Sequence, residues 1–298
     1  VFGKKVQTNM RVAKYTTARI GGPADYLLVV HSSQELEETV LKLWENEISF
    51  YILGGGSNIL VSDSGLRGVV IINHAKAIDI KRHQTHFTIW AESGALMSSI
   101  ARKAGDNALS GLEWATSLPG TLGGAVYGNA GAFGGDISGN LVLAEILHKE
   151  RGKECWPCEW FNFEYRSSIL KNAPEKPLIL TALLNVFPGN PSEIQELMDT
   201  FHARRRNKQP PGACTGSMFK NPPGDHAGRL IEAAGLKGTC IGDAHISQKH
   251  ANFFINKGNA CSADYMQLIQ MVKNSVCKKF GVELELEVEL LGDWDKLD

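Results

Sequence analysis

The sequence predicts an α+β protein in two parts, a larger domain at residues 16–188 followed by a smaller α+β domain at 189–298. Three observations carry this. Strand and helix signals alternate along the first part, two glycine-rich segments interrupt it, and Phe187-Pro188-Gly189-Asn190-Pro191 breaks the chain where two prolines and a glycine end a strand and start a helix. A chain of 298 residues has ample length for two cores.

Taken in order, Ala24 to Val30 is an apolar strand, and Ser32 to Glu47 a helix. Ser32 with Glu35 makes a capping box, and Leu36, Val40, Leu43 and Trp44 supply an apolar stripe at helical spacing. Ile48 to Leu53 and Val69 to Ile72 are strands on either side of the first glycine segment, Gly54-Gly55-Gly56-Ser57-Asn58. Phe87 to Ala91 is a strand, Ala95 to Lys103 a helix, and strands at Leu141 to His148 and Leu178 to Phe187 follow the second glycine segment. Beyond the break come helices at 192–207 and 226–234, a strand at 251–256, a helix at 262–280 and a final strand at 282–290. That last strand alternates strictly, with Val282, Leu284, Leu286, Val288 and Leu290 on one face and Glu283, Glu285, Glu287 and Glu289 on the other.

The second glycine segment, Pro119 to Gly135, holds seven of the 31 glycines and almost no charge. Backbone without Cβ atoms can lie directly on a ligand and donate N–H groups to phosphate oxygens. Tight turns alone would also use glycine, but Ser57 and Asn58 add polar groups, and the density exceeds what a hairpin needs. A large phosphate-bearing cofactor is therefore expected. The dinucleotide fingerprint G-x-G-x-x-G fails because Ile59 stands where its last glycine belongs, and no P-loop motif occurs.

Composition removes several function classes. Lysine plus arginine number 31 against 32 acidic residues, which argues against a dedicated nucleic-acid binder. No apolar run approaches the roughly 18 residues of a membrane span, and no charged-then-apolar leader opens the chain, so no membrane insertion is expected. Cys155-Trp156-Pro157-Cys158 has dithiol spacing, but the other four cysteines are scattered singly and Pro157 sits in a short polar stretch between strand-like runs. An incidental pair in a hairpin connection is expected, with no redox role. The nine histidines lack H-E-x-x-H spacing, and no metal site is expected.

Other residues leave open readings on pattern alone. Arg166 follows an aromatic stretch, Trp160, Phe161 and Phe163, able to desolvate a guanidinium, and it suits either a structural ion pair or a carboxylate ligand. The run Arg204-Arg205-Arg206-Asn207-Lys208 closes a helix, where cations favour the dipole in any case. Ser217 has no G-x-S-x-G context and reads equally as a turn serine. Spacing cannot choose among the four glutamates of the last strand.

A resemblance goes further. Arg19-Ile20-Gly21-Gly22-Pro23-Ala24-Asp25, Gly54 to Val61, Pro119 to Gly135, Tyr165-Arg166-Ser167-Ser168, Gly216 to Pro222, Leu230 to Gly238 and Gly281 to Val288 resemble, in order, the UDP-N-acetylenolpyruvoylglucosamine reductases of bacterial cell-wall synthesis. These blocks run from near residue 16 to residue 292. The resemblance implies an FAD-binding domain of the vanillyl-alcohol-oxidase (PCMH) type ahead of a substrate domain. It also implies NADPH-dependent, FAD-mediated reduction of UDP-N-acetylglucosamine enolpyruvate to UDP-N-acetylmuramate by a cytoplasmic bacterial enzyme, expected to be a monomer.

By the same resemblance Gly54, Gly55, Gly56, Ser57, Asn58, Pro119, Gly120, Gly123, Gly124 and Ala125 would meet FAD. Arg166, Ser217 and Glu287 would be catalytic, with Ser217 as the proton donor, and Arg205, Lys208, Asn221 and Lys237 would meet the substrate. Two departures are visible. Glu289 stands where many members have arginine, which is expected to alter the field at Glu287, and Val186 to Lys208 has no room for the tyrosine-bearing loop of longer members.

Overall fold

The computed structural model describes residues 6–84, 86–173 and 175–294. The chain divides into two compact units: Leu28–Gly55 with Ile71–Arg205, and Val6–Leu27 with Gly56–Val70 and the chain from Arg206 onward. The expected break is present, since a strand ends at Pro188 and a helix begins at Pro191. The change of unit comes later, after Arg205, because that helix buries Ile194, Met198 and Phe201, and Phe201 belongs to the first unit's core.

In the first unit an antiparallel sheet runs in the order Gly152–Pro157, Leu141–His148, Leu178–Pro188, Phe87–Glu92, Ile78–Arg82. The long strand Leu178–Pro188 is apolar almost throughout, as expected of a strand covered on both faces, and its register sets Ala182 opposite both Ala144 and Ala91. Helix α1, Ser33–Glu45, is capped by the Ser32 hydroxyl, which accepts from the Glu35 N–H at 3.1 Å. Only half of the expected box forms, because the Glu35 carboxylate accepts from the His31 N–H at 2.8 Å. Helix α2, Met97–Asp106, buries Met97, Ile100, Ala101 and Ala104.

Helix α3, Leu122–Gly128, lies inside the second glycine segment, where the glycine content argues against any helix. Tertiary contacts override propensity: Leu122, Ala125 and Val126 are core residues, and the Leu122 and Gly123 N–H groups donate to the carbonyls of Ala95 and Ser93, both at 2.8 Å. Asn129 ends it in the left-handed conformation, with φ of 44°. Helix α4 is Pro191–Lys208. Cys155 lies within the strand Gly152–Pro157, paired across from Glu145, and Cys158 opens the short helix Cys158–Phe161, so the pair is not in a hairpin connection.

In the second unit, Gln7–Arg11 pairs antiparallel with the start of Pro23–Val30, and Ile59–Val61 pairs in parallel with Glu289–Leu291. A small antiparallel sheet joins Cys240–Ile241, Ala244–Ile246 and Phe254–Asn256. Helix α5 is Ala227–Ala233, and helix α6, Ser262–Phe280, buries Tyr265, Leu268, Ile269, Val272 and Val276 along one stripe. Asp63 caps α6, accepting from the N–H groups of Ser262 at 3.0 Å and Ala263 at 3.1 Å.

The final strand departs from expectation. Leu284 and Val288 are buried as the alternation demands, but only Glu289–Leu291 joins a ladder, and Leu286 makes an isolated bridge to Phe219. Residues 282–288 are instead held one bond at a time by two different neighbours. The strand expected at 251–256 shortens to Phe254–Asn256 because His250 to Phe253 form a turn.

Candidate active site

In the first unit the two glycine segments touch. A Cβ on Gly54 would lie 2.2 Å from Thr121 Oγ1, so the Thr121 side chain leaves no room for one, and a Cβ on Gly55 would press on the Gly120 backbone, 3.1 Å from its Cα. Gly123 is equally constrained, with Ser93 Cβ at 3.0 Å and the Ser93 carbonyl at 3.1 Å. Gly124 differs, since its added Cβ would find only Thr121 Oγ1, at 3.8 Å. Ala125 directs its methyl into the core, which leaves only its backbone for a ligand. The Ser117 hydroxyl, two residues before Pro119, is buried with no hydrogen-bond partner in the protein. The open Cβ direction at Gly124 and the orphaned buried hydroxyl of Ser117 each fit a polar ligand lying along this backbone, so these residues suit FAD.

Arg166 stands at the tip of a tight turn in which the backbones of Glu164 and Ser167 bond each other in both directions, at 3.1 and 3.2 Å. Its φ of 58° is left-handed, a conformation that costs about 1–3 kcal/mol for such a residue and persists only where the surroundings impose it. The surroundings do so here. Asn129 Nδ2 donates to the Glu164 carbonyl at 3.0 Å, its Oδ1 accepts from Ser138 N–H at 3.1 Å, and the Ser168 hydroxyl donates to the Tyr127 carbonyl at 2.6 Å. The turn is thus fastened to the second glycine segment.

Arg205 joins Arg166. Its guanidinium lies 5.9 Å over the Phe133 ring, which stacks on Phe201 at 4.6 Å. Burial pushes the Arg205 pKa down, and the positive charge of Arg166 pushes it further. The two guanidinium groups are near enough for their charges to interact, and the planar guanidinium fork matches the geometry of a carboxylate. The expected desolvating aromatics act elsewhere: Phe161 is buried in the core with Phe163 stacked on it at 5.2 Å, and Trp160 is 56% exposed. Phe133, which does cover an arginine, had no sequence signal, because its partner lies 72 residues away with no common spacing.

In the second unit Gly56 is fixed by structure, with φ of 59° and a Cβ position 2.0 Å from the Tyr15 carbonyl. Asn58 anchors the end of the chain: its Nδ2 donates to the Glu287 carbonyl at 3.0 Å, and its own carbonyl accepts from Glu289 N–H at 2.9 Å. Ser57 is half-buried, and its carbonyl is 3.9 Å from the Cβ position of Gly216. Half-buried Ser217 begins an extended run clamped from both sides. On one side the Asn252 carbonyl accepts from Met218 N–H at 2.8 Å, and the Asn252 amide bonds both the N–H and the carbonyl of Phe219. On the other side Glu287 N–H donates to the Met218 carbonyl at 2.9 Å. Ser217 and half-buried Glu287 therefore stand on adjacent extended segments, separated by the Met218 peptide.

The remaining expected substrate residues fall into two kinds. Asn221 Oδ1 accepts from the Ala227 N–H at 3.1 Å at the start of α5, and Lys237 pairs with Glu232 at 2.7 Å. Lys208 is exposed at the end of α4. Lys208 and Lys237 share a neighbour that sequence reasoning missed, His250. Burial holds this imidazole below its ordinary pKa, and the charges of Lys237 and Lys208 act in the same direction. Among the described residues no group of three or more His, Cys, Asp or Glu side chains is placed to hold a metal ion.

Residues 24–149 match the profile of an FAD binding domain, and residues 208–291 match that of the UDP-N-acetylenolpyruvoylglucosamine reductase C-terminal domain. The chain is 38% identical over 291 residues to the UDP-N-acetylenolpyruvoylglucosamine reductase of Chloroflexus aggregans, covering 96% of this chain and 97% of the relative. The namesake of Rubrobacter xylanophilus is 41% identical over 280 residues, covering 94% of this chain and 93% of its own. Among solved structures, UDP-N-acetylenolpyruvylglucosamine reductase (MurB) from Thermus caldophilus is similar with a TM-score of 0.81 and 33% identity, covering 95% of this chain and 98% of that one.

Proposed function

The chain belongs to the UDP-N-acetylenolpyruvoylglucosamine reductase family, and from that premise we propose how its own residues divide the work. It is a flavin-dependent oxidoreductase of peptidoglycan precursor synthesis that uses FAD and NADPH. It reduces UDP-N-acetylglucosamine enolpyruvate to UDP-N-acetylmuramate. When bound, FAD would supply the hydride chemistry that links NADPH to the enolpyruvyl double bond.

The backbone of Pro119, Gly120, Gly123, Gly124 and Ala125 would hold FAD together with Gly54, Gly55, Gly56, Ser57 and Asn58. Arg166 would receive the substrate carboxylate, and the guanidinium charge would stabilise the enolic carboxylate formed once hydride has been accepted. Glu287 would orient that same group. Ser217 would give its hydroxyl proton to the carbon bearing the carboxylate. Arg205 would add charge beside Arg166, and Lys208, Asn221 and Lys237 would meet the nucleotide end. The two domains are proposed to divide the labour, FAD at 16–188 and substrate at 189–298.

One observation supports this assignment above the rest, the Met218 peptide that ties the Ser217 segment to Glu287 N–H at 2.9 Å. Such a tie keeps a proton donor and a carboxylate in fixed register through the cycle. No helix among the described residues is long and apolar enough to cross a membrane. A cytoplasmic monomer with no nucleic-acid partner is proposed on the family resemblance and on the even balance of charge. The test is direct. Yellow purified protein should oxidise NADPH beyond the one equivalent that reduces its flavin only when the enolpyruvyl substrate is added, giving a product heavier by two hydrogen atoms. Colourless protein that takes up no FAD would overturn the assignment.

A further inference from the structure

Asn252 is buried, and its side chain stands in for a length of main chain. Oδ1 accepts from the Phe219 N–H at 2.9 Å, and Nδ2 donates to the Phe219 carbonyl at 2.7 Å. The Asn252 carbonyl accepts from the Met218 N–H at 2.8 Å, and Phe253 makes an antiparallel bridge to Ser217. Because His250 to Phe253 form a turn, the main chain there cannot run on as a ladder beside Phe219, and the carboxamide completes it. Phe219 is wholly buried, its ring edge-on to Phe254 at 6.2 Å, so neither of its backbone groups has water to turn to. Among side chains of this length, only a carboxamide or a protonated carboxyl offers an acceptor and a donor side by side.

The opposite edge of the same segment carries the Glu287 chain. Glu287 N–H donates to the Met218 carbonyl at 2.9 Å, Lys220 N–H donates to the Glu285 carbonyl at 2.9 Å, and Lys220 Nζ meets the Glu285 carboxylate at 3.2 Å. Residues 217–220 are thus the middle of three extended segments, and the Asn252 amide supplies two of the bonds on one edge. We propose that Asn252 is a positioning residue for proton transfer: its carboxamide holds the Ser217 segment in register, so that the Ser217 hydroxyl meets the substrate carbon that receives its proton. The proposal rests on the family reading for Ser217 as the donor. Without the amide, the segment is free to slide along its neighbours, and a misplacement of about 1 Å costs on the order of 100-fold in rate.

Stopped-flow absorbance of the FAD-loaded enzyme separates this role from support of the fold alone. Asn252→Ala should reduce its flavin with NADPH, and bind the enolpyruvyl substrate to the oxidised enzyme, within about threefold of wild type, yet reoxidise about 10- to 100-fold more slowly at saturating substrate. A double-mutant cycle is decisive. In a Ser217→Ala background the Asn252→Ala change should slow reoxidation less than about threefold, because a donor that is gone cannot be misplaced. Equal slowing with and without the Ser217 hydroxyl, or equal slowing of both half-reactions, overturns the proposal. Should the Ala variant not fold, Asn252→Asp decides. Its protonated carboxyl donates to the Phe219 carbonyl and accepts from the N–H, whereas the ionised form has no donor. Burial raises that pKa, so the reoxidation rate relative to wild type should rise about tenfold from about pH 8 to about pH 6, while the relative rate of flavin reduction stays level. His250, whose Nδ1 accepts from the residue 252 N–H at 3.3 Å, titrates in both proteins and drops out of the ratio. A reoxidation ratio that does not change with pH overturns the proposal. If Ser217→Ala alone reoxidises at the wild-type rate, the reading of Ser217 falls with it; if Ser217→Ala is slow and Asn252→Ala is not, the proposal falls and that reading stands.

Discussion

At the scale of single residues, the chemistry assigned to Ser217 separates two halves of one cycle. Flavin reduction by NADPH needs no proton at a substrate carbon, so Ser217→Ala should reduce its flavin at a near-normal rate. Reoxidation by the enolpyruvyl substrate should slow by about 10²- to 10⁴-fold, the usual cost of losing a general acid, or roughly 3–5 kcal/mol of barrier. Stopped-flow absorbance resolves the two steps, and equal slowing of both would make Ser217 a residue that positions flavin. How far these residues were legible differs from case to case. The proposal for Ser217, Arg166 and Glu287 starts from resemblance, because a hydroxyl, a guanidinium and a carboxylate spread over 121 positions share no spacing. The Arg205–Phe133 contact and the Lys208–His250–Lys237 cluster were not found at all, since each assembles from segments that only tertiary structure brings together.

At the scale of elements, the glycines sort by what stands in front of them. Gly123 faces Ser93 at 3.0 Å and Gly124 faces nothing nearer than 3.8 Å, although they are neighbours on α3. Alanine at a helical glycine position with free space stabilises the helix by about 0.5–1 kcal/mol. Gly124→Ala should therefore melt at an unchanged or higher temperature yet hold FAD more weakly, because the added methyl projects where the ligand would lie. Gly123→Ala should lose about 1–3 kcal/mol of stability by overpacking against Ser93. Thermal melts of the apoprotein and flavin titration distinguish the two, and full flavin affinity in Gly124→Ala would reduce the segment to a structural device. The sequence suggests backbone lying directly on a ligand here, and the close approaches in the structure are those of the two glycine segments to each other and of Gly123 to Ser93. It missed α3 because seven glycines in the run outweighed three apolar residues, Leu122, Ala125 and Val126, in any local count. It read 282–290 as one strand because alternation reports faces, and faces survive at Leu284 and Val288 where the ladder does not.

At the scale of the whole molecule, the two-part organisation was legible from the prolines at 188 and 191, but the membership of the parts was not. Residues 6–27 and 56–70 belong with the C-terminal chain, an affiliation created by pairing over distances that leave no local trace. Ile20 and Leu60 lie in the same core as Leu230, Tyr265 and Val288. A fragment beginning at Arg206 would lack both, together with the strand against which Glu289–Leu291 pairs. It should show the poorly dispersed amide spectrum of an unfolded chain, and a well-dispersed spectrum would mean that the early strands are dispensable. The same pairing has a consequence during synthesis. Leu60 emerges from the ribosome roughly 230 residues ahead of its partner Leu290. At about 5–20 residues per second, the unit that carries Ser217 and Glu287 waits on the order of 10 to 50 seconds with an apolar strand unpaired, and closes only once Glu289–Leu291 has been made.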